Sequence, residues 1–167
     1  GVNLTLYNPA KEYGTPDDVQ NIPHPIIGYM GTINSTRLDG ELLYQIISQR
    51  PDYSFVFTGP EDDGFRQHRI HSLKNAYFTG QKKVDELPAY ITAYDVCINP
   101  QMVNDITDGN YPLKIDEYLA MGKPTVATST HTMRHIFADH THLATNPEEW
   151  LSAIDRAVTE ADDKELA

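Results

Sequence analysis

Short apolar runs alternate with amphipathic stretches along this chain, and the alternation is regular from residue 26 onward. Ile26–Tyr29 with Met30 forms the first run and stops at Gly31, the pattern of a strand buried on both faces. Asp39 stands where a helix N-cap belongs, and Leu42, Leu43, Ile46 and Ile47 then share one helical face until Arg50-Pro51-Asp52. Ser54–Phe57 reads as a strand closed by Gly59-Pro60, and the polar stretch 61–74 has room for a short helix. Ala76–Thr79 predicts a third strand ending at Gly80. Asp85 is positioned to cap a helix over 86–94, whose Leu87, Tyr90, Ile91 and Tyr94 follow helical spacing. Val96–Asn99 is a fourth strand ended by Pro100, and a polar loop fills 100–112. Pro112–Met121 predicts a helix with Gly122 just past its end, followed by a strand over Thr125–Thr128. A short helix over 131–137 and an edge-like strand over His142–Thr145 come next. Asn146-Pro147-Glu148-Glu149 then opens a last helix with the stripe Trp150, Leu151, Ile154 and Val158. Its acidic end, 160–165, is expected to be solvated and frayed.

Strand-length apolar runs alternating with helical stripes predict an α/β fold: a Rossmann-like, doubly wound, mostly parallel sheet of about six strands. Residues 1–25 carry no periodic pattern and contain Pro9, Pro16, Pro23 and Pro25, which reads as an arm outside the core. Residues 26–161 are expected to form the domain, with 162–167 as an acidic tail. Such sheets bind ligands beyond the carboxyl ends of their strands. The segments that matter are therefore 31–38, 59–64, 80–84, 100–112 and 128–132.

Composition narrows the chemistry. The 167 residues hold 13 Lys and Arg against 24 Asp and Glu, a net charge of −11, which argues against nucleic-acid binding. The single cysteine, Cys97, lies between Val96 and Ile98 and reads as core. No apolar run is long enough to span a membrane, and residues 1–25 lack signal-peptide grammar, so a cytoplasmic location is expected. His131 and His135 lie one helical turn apart but lack the adjacent glutamate of a zinc motif, and no metal site is expected. No dinucleotide-binding, Walker or serine-nucleophile fingerprint is present.

Two segments hold candidate chemistry. Gly31-Thr32-Ile33-Asn34-Ser35-Thr36-Arg37 puts a glycine directly after a strand, where a ligand can approach the backbone, and offers Arg37 for a phosphate. The same residues fit an ordinary turn with Arg37 paired to Asp39. Lys114 and Glu117 share a helix face near a helix N-terminus, which suits an anionic ligand and equally suits a solvated ion pair.

Longer blocks resemble a known family. Gly1-Val2-Asn3 with Pro9 is similar to the interdomain connector of GT-B glycosyltransferases, and Ile26–Ile33 to the opening strand of their C-terminal domain. Phe55–Pro60, Phe78–Gln81, Leu87–Tyr90, Tyr94–Pro100 and Pro112–Ala127 resemble its later blocks. The match is to family 4, the group 1 transferases, and spans nearly the whole chain. The resemblance implies the donor half of a retaining enzyme. It would bind a nucleotide diphosphate-sugar without a metal or other cofactor. The acceptor, a glycan or lipid-linked glycan, would be held by an N-terminal domain outside these residues.

The resemblance also implies roles. Gly31 would lie near the diphosphate, Arg37 would stand where a phosphate-binding lysine usually does, and Glu117 would hold the ribose. The turn of Gly80, Gln81, Lys83 and Val84 would read the base through its backbone. Two positions depart from the family. Gly109, with Asn110 beside it on the donor side, replaces the first glutamate of the E-x7-E motif, and Thr32 replaces a phosphate-binding arginine. Pro112-Leu113-Lys114-Ile115-Asp116-Glu117 fits a Pro-x-Lys-x-x-Glu variant, in which Lys114 joins Arg37 on the phosphates. The alternatives are a catalytically degenerate partner subunit or a flavodoxin-like signalling module. By itself the chain is expected to bind donor, to transfer poorly and to self-associate through an uncovered crevice. The full-length enzyme would work at the inner membrane surface.

Overall fold

In the computed structural model, which describes residues 2–166, six strands form one sheet in the order β3-β2-β1-β4-β5-β6. They are β1 (Ile26–Met30), β2 (Ser54–Thr58), β3 (Ala76–Gly80), β4 (Val96–Asn99), β5 (Thr125–Thr128) and β6 (His142–Ala144). Every neighbouring pair is parallel, so the sheet is more uniform than the mostly parallel one expected from the sequence. The apolar runs explain this: every residue of β1, β2, β4 and β5 is buried, and such strands need helices on both faces.

Alternate side chains serve the two faces. Ile27, Tyr29, Phe55 and Phe57 pack with Leu43 and Ile46 of α1 (Gly40–Ser48), with Phe65 of the short α2 (Asp63–Arg66) and with Trp150 and Ile154 of α6 (Pro147–Leu166). Ile26, Met30, Val56 and Cys97 face Tyr90 and Ile91 of α3 (Leu87–Ala93) and Ile115 and Tyr118 of α5 (Leu113–Ala120). Strand order reverses between β1 and β4, which opens a crevice at their carboxyl ends.

The structure alters several local expectations. Asp85 caps nothing: it sits in a 3-10 turn, Val84–Glu86, and α3 starts behind it with Pro88 in its first turn. Within the loop 100–112, Asn104 and Thr107 form a reciprocal capping box that nucleates α4 (Asp105–Asp108). The helix over 131–137 is mostly a π turn, Met133–Phe137. The acidic end of the chain is helical to residue 166, not frayed. Buried Ala157, the His142–Glu160 pair at 2.8 Å and a 2.8 Å bond from Lys164 to the Gly122 carbonyl anchor it.

The N-terminal arm differs most. It adds no strand to the sheet, yet Tyr7, Val19 and Ile22 are buried in the core on the α3–α5 face. Its Asp18 accepts from the Tyr90 hydroxyl at 2.6 Å and pairs with Lys82 at 2.8 Å. Apolar side chains in an aperiodic, proline-rich segment find their places only when a folded face exists to receive them.

Candidate functional site

The loops after β1 and β2 are pressed together at the carboxyl end of the sheet. The Gly31 N–H donates to the Thr58 carbonyl at 2.9 Å, and the Ile33 N–H to the Pro60 carbonyl at 2.8 Å. Gly59, at φ +154°, tolerates this closeness, because a Cβ there would lie 1.9 Å from the Gly31 carbonyl oxygen. Gly31, at φ +132°, lies under Lys114: its own Cβ would come within 3.2 Å of the Lys114 amine. The loop after β4 closes the other side. The Met102 N–H donates to the Arg37 carbonyl at 2.8 Å.

Lys114 projects from the first turn of α5 back over β1. Its Nζ donates to the Tyr29 hydroxyl at 3.0 Å and stands 4.6 Å from the centre of that ring. The Tyr29 hydroxyl in turn donates to the Thr32 carbonyl at 2.8 Å. Burial lowers the Lys114 pKa to about 8; Glu117 opposes the shift and Arg37 adds to it. Among the described residues neither Lys114 nor Arg37 forms an ion pair, so the expected alternatives, Arg37 with Asp39 and Lys114 with Glu117, are not made. No side chain caps the N-terminus of α5, where Pro112 stands.

Two adjoining cavities result. One, of about 430 Å³, runs along Gly31, Thr32, Gln81, Val84, Lys114 and Glu117, with Tyr7, Lys82 and Leu87 among its other walls. The second, of about 450 Å³, is lined by Tyr29, Thr32, Asn34, Arg37, Leu38, Asn99, Gln101 and Lys114. Thr32 and Lys114 belong to both. Six of the residues singled out in the sequence thus meet around one cavity, and Arg37 stands in the next. Gly80, the last residue of β3, and Lys83, two residues past Gln81, line neither cavity, and Gly109 and Asn110, at the end of α4, line neither as well.

Sequence reasoning missed Tyr7, Tyr29, Lys82 and Asn99. Tyr7 comes from the arm; its hydroxyl faces the Glu117 carboxylate, and burial first, then that carboxylate, raises its pKa well above the usual tyrosine range. Nothing local marks it. Asn99 left a signal, as a polar residue closing an apolar strand at the sheet end where ligands bind. Among the described residues no group of three metal-ligating side chains occurs, and no helix is long and apolar enough to cross a membrane. The rings of His131 and His135 lie 4.2 Å apart on the surface, tilted by 51°.

Comparison with known proteins bears on this arrangement. The sequence profile of the glycosyl transferases group 1 matches residues 24–160. TuaH of Bacillus subtilis, named as a glycosyltransferase of teichuronic acid biosynthesis, is 26% identical over 171 residues, covering 98% of this chain and 42% of TuaH. Among solved structures, HepE of Anabaena in complex with UDP-glucose aligns with a TM-score of 0.72 at 16% identity, covering 97% of this chain and 47% of that one. Sucrose-phosphate synthase of Thermosynechococcus elongatus gives a TM-score of 0.70 at 22% identity, covering 97% of this chain and 43% of that one. The chain spans less than half the length of these relatives. Its all-parallel sheet carries the GT-B likeness, and its sequence matches the family over most of its length: the chain belongs to the group 1 glycosyl transferases.

Proposed function

We propose that this chain is the donor-binding domain of a retaining glycosyltransferase and takes a nucleoside diphosphate-sugar in the two adjoining cavities. The observation that carries the reading is the convergence of Lys114, Arg37 and the uncapped N-terminus of α5 on one crevice, in a chain of net charge −11. Two cations held without carboxylate partners suit a diphosphate. Gly31 admits the phosphates to the backbone, Glu117 accepts from ribose hydroxyls, and the base lies along Gln81–Val84. The complexes of HepE with UDP and with UDP-glucose support this reading, since HepE shares the fold.

Transfer breaks the bond from the anomeric carbon to the diphosphate oxygen, and the diphosphate leaves with the electron pair. That carbon then bonds to an acceptor hydroxyl oxygen, whose proton passes to the oxygen of the departing diphosphate. Lys114, Arg37 and the α5 N-terminus stabilise the charge developing on the diphosphate, so the work needs no metal. Among the described residues Glu117 is the one carboxylate lining either cavity, which supports a metal-free site. The acceptor belongs to a second domain that closes the crevice. The exposed apolar side chains Val103, Ile106, Tyr111 and Leu113 beside it supply a surface for that domain. Alone, the chain binds donor but does not hold acceptor and donor in reacting geometry.

Calorimetric titration with UDP, GDP, ADP and CMP tests the proposal. One of them is expected to bind, and Glu117→Gln to weaken that binding by about one to two decades. Absence of binding to every nucleotide would overturn it. Binding with no transfer by the full-length enzyme would instead favour a degenerate subunit, the reading that Gly109 and Thr32 keep open.

A further inference from the structure

Asn99 closes β4 at the floor of the cavity that holds Arg37, and it is 1% exposed. Among the described residues neither Oδ1 nor Nδ2 of its carboxamide has a hydrogen-bond partner. A buried amide with both ends unsatisfied is costly, and folded proteins rarely keep one without a use for it. Thr128, which ends the adjacent β5, also buries a hydroxyl without a partner among the described residues, but that is one polar atom, whereas Asn99 leaves both ends of an amide unmet. Other strand ends show what the fold does otherwise. Thr58, the equally buried last residue of β2, is satisfied by the Tyr94 hydroxyl at 2.5 Å and by Thr79 at 2.9 Å. Met30, ending β1, is apolar. Packing at this level of the sheet therefore does not require an amide.

The lining of the cavity narrows what would satisfy it. Arg37 and Lys114 provide positive charge, Asn34 and Gln101 add two further carboxamides, and no carboxylate is present. The Asn34 Oδ1 is already used by the N–H and hydroxyl of Thr36. A phosphate offers acceptors only, so it would pair with Nδ2 of Asn99 and leave Oδ1 buried and unmet. A group that both donates and accepts satisfies the whole carboxamide, and adjacent hydroxyls on a sugar ring do this. The cavity shares Lys114 and Thr32 with the crevice assigned to the nucleotide, so a sugar attached to a diphosphate at Lys114 falls within reach.

Resting on the donor-binding reading above, we propose that Asn99 is a specificity-determining residue that reads a neutral hexose of the donor through adjacent ring hydroxyls. The test compares UDP with UDP-glucose, UDP-galactose and UDP-N-acetylglucosamine by calorimetry, on the unmodified chain, on Asn99→Leu and on Asn99→Asp. Asn99→Leu keeps the volume and removes both polar ends. Asn99→Asp keeps the acceptor, loses the donor and covers the case in which the leucine variant fails to fold. Asn99→Leu is expected to bind UDP within about twofold of the parent, whereas the carboxylate of Asn99→Asp repels the diphosphate, so that variant is read by its ratio of UDP-hexose to UDP affinity; relative to UDP, both lose about tenfold or more toward the UDP-hexose that the parent prefers. Equal losses for UDP and the UDP-hexose would assign Asn99 to the phosphates and overturn the proposal. So would unchanged affinity for both with an altered melting temperature, which is the mark of a structural or water-bound amide. If the unmodified chain binds none of UDP, GDP, ADP and CMP, the donor reading falls first; if it binds one other than UDP, the same comparison is made with that nucleotide and its hexose conjugates; if it binds them and the variants do not discriminate, Asn99 alone is misassigned.

Discussion

The two walls of the crevice each carry a lysine, and they treat it in opposite ways. On the wall behind β3, Lys82 pairs with Asp18 of the arm at 2.8 Å and lies 5.5 Å from the centre of the Tyr90 ring. Asp18 and Tyr90 raise its pKa. On the wall formed by β1 and α5, Lys114 has a tyrosine hydroxyl but no ion pair among the described residues, and burial lowers its pKa to about 8. One cation is spent within the fold, fastening the arm. The other is held half out of water with its charge unmet, a state that costs stability and is relieved when an anion arrives. A lysine's place in a cavity says little about its role; its partners decide it.

The sharpest way to break the contrast is to remove the floor that supports Lys114. Gly59→Val places a branched side chain where a Cβ would already lie 1.9 Å from the Gly31 carbonyl, at a backbone angle of +154°. The expected loss is roughly 3 kcal/mol or more of unfolding free energy, read by urea denaturation. A loss below about 1 kcal/mol would mean that the two loops are not held together as described.

Lys114→Met should next separate the lysine's two effects. Nucleotide diphosphate affinity falls by about one to two decades, on the scale of a lost charge-assisted hydrogen bond. Stability of the ligand-free chain at neutral pH rises, because a poorly solvated charge is gone. The sign follows from linkage. The folded pKa, about 8, lies below the unfolded one, so the unfolded chain binds more protons between about pH 8 and the ordinary lysine value. Stability therefore climbs with pH across that window in the parent and stays flatter in the variant. Affinity behaves in the opposite sense: anion binding favours protonated Lys114, so it weakens as pH rises through about 8. Melting and calorimetric titrations between pH 7 and pH 9.5 read both trends, and parallel pH profiles for parent and variant would contradict the assignment.

The smallest effect is expected at the other lysine. Lys82→Met removes a half-exposed ion pair worth up to about 1 kcal/mol of stability, while the Tyr90–Asp18 bond at 2.6 Å still holds the arm. Nucleotide affinity should change by less than about threefold. A tenfold loss would show that Lys82 serves the ligand and that the two walls are alike.

Each wall was legible to a different degree, and the reason is the range of the interactions that build it. The spacing of Lys114 and Glu117 on one helix face, the glycine at the end of β1 and the turn after β3 are short-range features, set by helical and strand periods that the chain carries residue by residue. The same periods mark the six strands and imply that ligands meet beyond their carboxyl ends. Tyr7, which lines the crevice, and Asp18, which fastens the arm beside it, lie in a segment with no period, and their places depend on surfaces contributed by α3 and α5, dozens of residues away. The isolation of the Asn99 carboxamide is likewise invisible in its neighbours, since what matters is the absence of a partner across strands from distant parts of the chain. Sequence by itself determined the alternation of strands and helices, the end of the sheet where ligands meet and the family to which the blocks belong, because periodicity and short motifs are local. Which lysine keeps its charge free, which tyrosine reaches Glu117 and which amide is left unpaired were decided only by tertiary packing, where contacts join residues that no local pattern connects.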